Sequence, residues 1–522
     1  MTGTVREQLL ARADDASLGL LFEERSWSWA EAVRESVVRS AVLHDVLPAG
    51  RPPHVGVLLD NTPEFSFLLG AAALGGEVLV GLNPTRRGTA LAADIARSDT
   101  QVVLTDATYA DLLSDTDVPA VRLDSPEWAG LLASHAGADV PDAGAGPDTL
   151  MMLIFTSGTS GDPKAVNVTQ TKVAYPGVFL SERFGLGPDD VAYLSMPMFH
   201  SNAIMAGWGP ALASGATIAL ARRFSASGFL ADVRRYGATY ANYVGKPLAY
   251  VLATPELPDD ADNPLRLVFG NEANERDIAE FGRRFGCVVV DSYSSTENAV
   301  IVQRVPEMPP GSLGRPLDGV KVLDPDTMAE TPDAEFGPDG RLLNAEQATG
   351  ELVNTQGAGA FAGYYNDPEA EAERMRGGMY WSGDLAYRDA DGFVYFAGRT
   401  ADWLRVDGEN LAAAPIERLL LRHPDVSEAA VYAVPDEKVG DQVMAALVTT
   451  APLSPEELGE FLAAQPDLSP KAWPRFVRVA ARLPRTATNK VLKRELAAEG
   501  PAPGEGVLWE REPRGRTYAA QR

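Results

Sequence analysis

The chain has 522 residues, with 46 Lys and Arg against 72 Asp and Glu and a formal charge of −26. That length exceeds what one hydrophobic core supports, so two or more domains are expected. The acidic excess repels nucleic acid and acidic membrane surfaces, and any anionic ligand must be drawn by a local cluster of basic groups. The single cysteine, Cys287, excludes an internal disulfide.

The amino-terminal residues 1–17 carry Arg6, Glu7, Arg12, Asp14 and Asp15 among scattered leucines, which predicts an amphipathic helix and not a secretory signal. Residues 54–59, 101–105 and 217–220 read as buried strands, alternating with helical stretches such as 229–236. The apolar run 67–82 is interrupted by Gly70, Gly75, Gly76 and Glu77 and is too short to span a bilayer, so no stable membrane insertion is expected. Residues 136–148, rich in Ala, Gly, Asp and Pro, read as a surface linker. Cys287 sits in the run Cys287-Val288-Val289-Val290 and reads as a buried strand position, which suits a reducing, cytoplasmic setting.

From about Gly350 the texture changes to short strands broken by Gly and Asp, ending at Gly398-Arg399. Beyond it a helix is predicted over 415–422, strands over 429–434 and 442–448, and a helix over 455–464. The tail 501–522, with arginines at 511, 514, 516 and 522, reads as a solvated terminus.

The chemistry concentrates in the run after the apolar strand ending at Phe155. Gly158 and Gly161 let backbone amides approach an anion, Thr156, Ser157, Thr159 and Ser160 offer hydroxyls, and Lys164 offers a point charge. Asp162 and Pro163 separate Gly161 from Lys164, so the run is not an ordinary Walker loop. It resembles the phosphate loop of the adenylate-forming superfamily of acyl-CoA synthetases, luciferases and peptide-synthetase adenylation domains.

Later segments carry the same resemblance. Asp291-Ser292-Tyr293-Ser294-Ser295-Thr296-Glu297 resembles the element in which an aromatic stacks near adenine, a threonine meets the α-phosphate and a glutamate binds Mg²⁺. A carboxylate suits that ion, which prefers oxygen and shares its ligands with phosphate. Gly270-Asn271-Glu272 resembles the turn that holds adenine, Asp384 the aspartate on the ribose hydroxyls, and Arg399 the arginine near ribose and phosphates. Lys490 matches the catalytic lysine, with Lys493 and Arg494 as surface charges. Its ammonium would stabilise the negative charge that accumulates during attack on the α-phosphorus. Phe199 and His200, with Trp208 nearby, resemble the border of the acid pocket, and Gly408, Glu409 and Asn410 the loop along the acceptor tunnel of CoA ligases.

The resemblance is greatest to actinobacterial fatty-acyl-CoA ligases. It implies an α/β fold with a large, multi-subdomain N-terminal adenylation domain, residues 1–399. A small mobile α+β domain, residues 400–522, follows and carries Lys490. The implied substrates are ATP with Mg²⁺, a small-molecule acid and an acceptor, CoA or an amine; a homodimer is compatible with the sequence. Four positions depart from the pattern: Ser294, the pair Asn298-Ala299, Ala401 and Asn489. A side-chain amide has no partner in a hydrocarbon tunnel, so Asn298 with Ala299 predicts a shorter or more polar pocket. A second expectation follows, similarity to the ATP-dependent diazotases, which adenylate nitrite and pass the nitroso group to an arylamine.

Overall fold

The computed structural model describes residues 3–157, 163–293, 295–305, 307–338, 340, 342–399, 403–406, 409–436, 440–465, 468, 472–485, 491–502, 504–512 and 515–520. The chain divides into two compact units, one of Met1–Asn298 with Ala360–Ala372, the other of Ala299–Gly359 with Glu373–Arg522.

The first unit is built on two sheets. Six strands of the larger run parallel, in the order Val288–Asp291, Leu267–Asn271, Tyr240–Val244, Val191–Leu194, Thr217–Leu220 and Leu18–Phe22, with Arg25–Ser28 antiparallel at the edge. The chain leaves Val191–Leu194 for the strand on one side and then returns to the strand on the other. That reversal opens a crevice at the carboxyl ends of the strands, where ligands of open α/β sheets bind. The second sheet orders Ala120–Arg122, Val102–Thr105, His54–Leu58, Val78–Gly81, Leu150–Ser157 and Pro163–Thr169, the last two forming an antiparallel hairpin.

The run 67–82 is a core helix, Pro63–Gly75, followed by a buried strand. The helix is apolar all round because it is enclosed on every side. No helix among the described residues is long and apolar enough to cross a membrane. The amino-terminal helix is shorter than expected, Val5–Leu10, started by a capping box between Thr4 and Glu7. Residues 138–146 form no regular element, in keeping with the linker reading.

Cys287 lies just before its strand, not within it, and is half-buried. That strand is the sheet edge, so Val288 is 60% exposed while Cys287 and Val289 pack toward Phe281 and Phe285. Burial pushes the Cys287 thiol up to about 12.

In the second unit, strands Val320–Leu323, Gly350–Asn354, Met379–Arg388 and Val394–Arg399 form one antiparallel sheet. A second sheet begins at Trp403–Val406, includes Val426–Asp436, Gly440–Thr449 and Phe476–Val479, and is covered by helices Ala413–Leu420 and Pro455–Ala463. The expected 399/400 boundary falls inside this unit, between strands Val394–Arg399 and Trp403–Val406. The helix expected to start at Pro415 starts two residues earlier, with Ala413.

The tail corrects the expectation of a solvated terminus. Strands Val507–Arg511 and Tyr518–Ala520 extend the second sheet, and Trp509 and Tyr518 are buried in its core. Arg511 donates to the carbonyls of Trp473, Pro474 and Gly515, and Arg516 lies over the Trp473 ring. Alternating Val507, Trp509 and Arg511 would have read as a strand, but the surrounding Pro, Gly and Arg obscured it.

Candidate functional site

The loops at the carboxyl ends of the parallel strands bring several expected residues together. Gly270 and Asn271 are the last two residues of strand Leu267–Asn271, not a turn beyond it. A Cβ on Gly270 would meet the Tyr243 carbonyl at 2.2 Å, so only glycine fits there. The Asn271 amide donates to Ser292 O at 2.6 Å and Ser292 Oγ at 3.1 Å. Asp291 Oδ2 accepts from Tyr243 Oη at 2.7 Å and from the Ala273 amide at 3.0 Å. Between them Glu272 takes a left-handed backbone, φ 69°. The proposed adenine turn is thus pinned on both sides, and Tyr243 joins it without having been anticipated from sequence.

One strand away, Asn61 holds the loop before Phe199. Its amide donates to the Met196 and Ala221 carbonyls at 2.9 and 3.2 Å and accepts from the Met198 amide at 2.9 Å. Phe199 is buried against His200, ring centroids 4.4 Å apart. Ser201 Oγ lies 2.9 Å from Thr296 Oγ1, which joins the acid-pocket segment to the element expected at the α-phosphate. Asn202 donates to Tyr243 O at 2.9 Å and accepts from Asn242 at 2.6 Å. Trp208 ends a π-helical turn, Ile204–Trp208, a feature common near functional sites. It is fully buried in the main core, with its indole N–H on Ser66 Oγ at 3.0 Å.

In the phosphate-loop hairpin Thr156 pairs with Lys164 and Ser157 with Pro163. Gly158, Thr159, Ser160 and Gly161 lie outside the described residues, as do Ser294, Ala401, Gly408, Asn489 and Lys490. Lys164 is buried, its Nζ 5.5 Å from the Tyr364 ring centroid. Glu297 is also buried and accepts from Tyr364 Oη at 2.9 Å. Burial pushes the Lys172 ammonium down to about 8, with the Glu297 carboxylate opposing the shift. Tyr364 and Lys172 were missed from sequence. Tyr364 follows a glycine-rich run that could have flagged it, whereas nothing local marks Lys172.

Among the described residues no group of three or more His, Cys, Asp or Glu could hold a metal. The single Glu297 carboxylate, with one oxygen committed to Tyr364, fits Mg²⁺ that arrives on a nucleotide and keeps phosphate and water as its other ligands.

Asn298 has φ 54°, and its amide bonds back to Ser295 O at 3.1 Å. Asparagine tolerates this left-handed backbone far better than most residues, so its presence has a conformational reason independent of pocket polarity. Ala299 is buried, and its carbonyl accepts from Asn354 at 2.8 Å.

In the second unit Asp384 and Arg399 sit in register on neighbouring strands. The irregularity in strand Met379–Arg388 just before Asp384 is held by Glu351, which accepts from the Gly383 amide at 2.6 Å and from Arg376 at 2.9 Å. Glu409 and Asn410 begin strand Glu409–Ala412, paired with Val406 and Arg405. Lys493, expected as a surface charge, pairs with Glu417 at 2.8 Å.

The AMP-binding enzyme profile matches residues 6–365, and the profile of the AMP-binding enzyme C-terminal domain matches residues 415–490. The chain belongs to the AMP-binding enzyme family. As a member it is an adenylate-forming ligase, with the large N-terminal and small C-terminal parts of that fold. It is 56% identical to the medium/long-chain-fatty-acid–CoA ligase FadD17 of Mycobacterium tuberculosis, over 97% of this chain and 98% of that one. It is 49% identical to the steroid-22-oyl-CoA synthetase of Rhodococcus jostii, over 94% and 90%. Among solved structures it resembles the o-succinylbenzoate CoA synthetase of Bacillus subtilis. In the complex with the acyl-adenylate intermediate the TM-score is 0.78 at 25% identity, covering 97% of this chain and 99% of that one. In the complex with ATP and magnesium it is 0.76 at 25% identity, covering 94% and 98%.

Proposed function

We propose that the protein adenylates a hydrophobic carboxylic acid with Mg·ATP and transfers the acyl group to CoA. The observation that carries this reading is the 56% identity to a medium/long-chain fatty-acid–CoA ligase over nearly the whole of both chains, with the 49% identity to a steroid-22-oyl-CoA synthetase extending the acid class to bulky apolar acids. The buried apolar setting of Phe199 and of the turn Ile204–Trp208 suits such an acid.

In the first half-reaction a carboxylate oxygen attacks the α-phosphorus, the bond to the β-phosphate oxygen breaks, and pyrophosphate leaves. Thr296, fixed by Ser201, would donate to the α-phosphate, and Glu297 would hold Mg²⁺. Mg²⁺ supplies charge neutralisation on the phosphates when bound. Hydroxyls and amides of residues 156–161, with Lys164, would cradle the β- and γ-phosphates. Gly270, Asn271, Glu272, Asp291, Ser292, Tyr293 and Ser294 would enclose the adenine, while Asp384 and Arg399 would meet the ribose. Lys490 would place its ammonium between acid and phosphate. His200 and Phe199 would border the acid, with Trp208 and Ala299 packed behind. In the second half-reaction the CoA sulfur attacks the acyl carbonyl and AMP leaves, with Gly408, Glu409 and Asn410 beside the pantetheine. Residues 400–522 are proposed as the part that moves between the two steps.

The test is acid-dependent pyrophosphate release with Mg·ATP, comparing fatty, steroid, aryl and nitrite anions, each with CoA or an arylamine. Thioester formation from fatty or steroid acids is expected. Release with nitrite alone, giving a diazo product without CoA, would overturn the reading; the relatives give the diazotase alternative no support, and Asn298 has a backbone explanation.

A further inference from the structure

The first unit contains a buried assembly that neither the family resemblance nor the relatives assign. Segment Ala360–Ala372 returns to the strand that follows the phosphate loop. The Tyr365 amide donates to Ala165 O at 2.8 Å, the Asn167 amide donates to Gly363 O at 3.1 Å, and Tyr364 bridges Val166. Backbone pairing on both sides therefore fixes where the Tyr364 ring stands. Its hydroxyl donates to Glu297 Oε1, and its ring meets Phe361 edge-on with centroids 4.9 Å apart.

We propose that Tyr364 is a positioning residue for Glu297, so that its hydroxyl sets how tightly the enzyme takes up the divalent cation carried by ATP. The proposal rests on the reading of Glu297 as the cation's protein ligand. A carboxylate with one oxygen tied to a fixed O–H presents the other in one orientation, and losing a partner of this outer kind typically costs about 10–100-fold in metal affinity.

Mn²⁺ binding to the full chain is followed by electron paramagnetic resonance of free Mn²⁺, with α,β-methylene-ATP present so that no turnover occurs. Tyr364→Phe is expected to raise the Mn²⁺ dissociation constant by roughly 10-fold, the lower end for such partners, with the affinity for the metal-free nucleotide unchanged. An unchanged constant in Tyr364→Phe, which removes one hydroxyl, would overturn the proposal while leaving the ligase reading in place. A wild-type protein that takes up no Mn²⁺ with the nucleotide would overturn both.

Discussion

Asp384 and Arg399 face each other across two antiparallel strands, with Arg399 Nε 3.4 Å from Asp384 Oδ1. The carboxylate is largely buried while the guanidinium is 43% exposed, so the aspartate is the fixed member of the pair. Bound nucleotide is expected to take over the aspartate's oxygens. Asp384→Asn keeps the shape but loses the charge. Hydrogen bonds to a charged group are worth about 1.5–3 kcal/mol against about 1 kcal/mol for neutral ones, so the KM for ATP should rise by roughly 10-fold with the KM for the acid unchanged. Initial rates of pyrophosphate release check this.

Lys490→Ala should cut adenylation by roughly 10²–10³-fold, the usual loss when one preorganised charge-stabilising donor is removed. Thioester formation from a supplied acyl-adenylate should persist, because that step needs no charge at the α-phosphorus attack. A variant equally slow in both half-reactions would remove Lys490 from the role proposed for it.

Asn298→Gly should leave the order of preference among fatty acids unchanged, since glycine also accepts φ 54°. Asn298→Val should instead destabilise the chain by about 1–2 kcal/mol, the cost of a left-handed backbone for such a residue. Thermal unfolding and a chain-length series separate the two effects. A marked change of acid preference in Asn298→Gly would return the side chain to the pocket.

Glu77 is a buried carboxyl at the end of the core helix, and burial lifts it from 4.5 to about 7, opposed by bonds from its own backbone and from Ser40. Its contribution to stability is present in full below about pH 4.5 and is lost as pH rises through about 7, where the folded state must carry a buried charge. The loss approaches about 3 kcal/mol at 1.36 kcal/mol per pH unit. Glu77→Gln has no such titration, so its unfolding midpoint should fall less than that of the wild type between pH 5 and pH 8.

Removing residues 501–522 should unfold the second sheet, since Trp509 and Tyr518 leave its core with the two strands that carry them. Losing a buried aromatic costs about 3–5 kcal/mol on its own. Limited proteolysis should then cleave readily within 403–485, while a freely solvated tail would have left that region resistant.

The helix over 229–236 and the strands over 54–58 and 217–220 were legible because hydrophobic period and turn residues agree there. Thr296, Glu297, Asp384 and Arg399 could each be proposed from sequence because each sits in a recognisable local run. Asn298 admits two readings for a physical reason: residue type can serve backbone conformation or pocket chemistry, and sequence does not separate the two. The tail was misjudged because its strands find their partners in Phe476–Val479, about thirty residues earlier.

The sequence by itself determined the family, the α/β layering and the residue types available for adenylation, since local patterns and short motifs carry that information. Only the tertiary structure decided that Ser201 meets Thr296, that Asn61 clamps the loop before Phe199, and that Tyr364 donates to Glu297. Those pairs are separated by 67 to 137 residues, and a hydroxyl or an amide acquires such a partner only when the folded chain excludes water from between them.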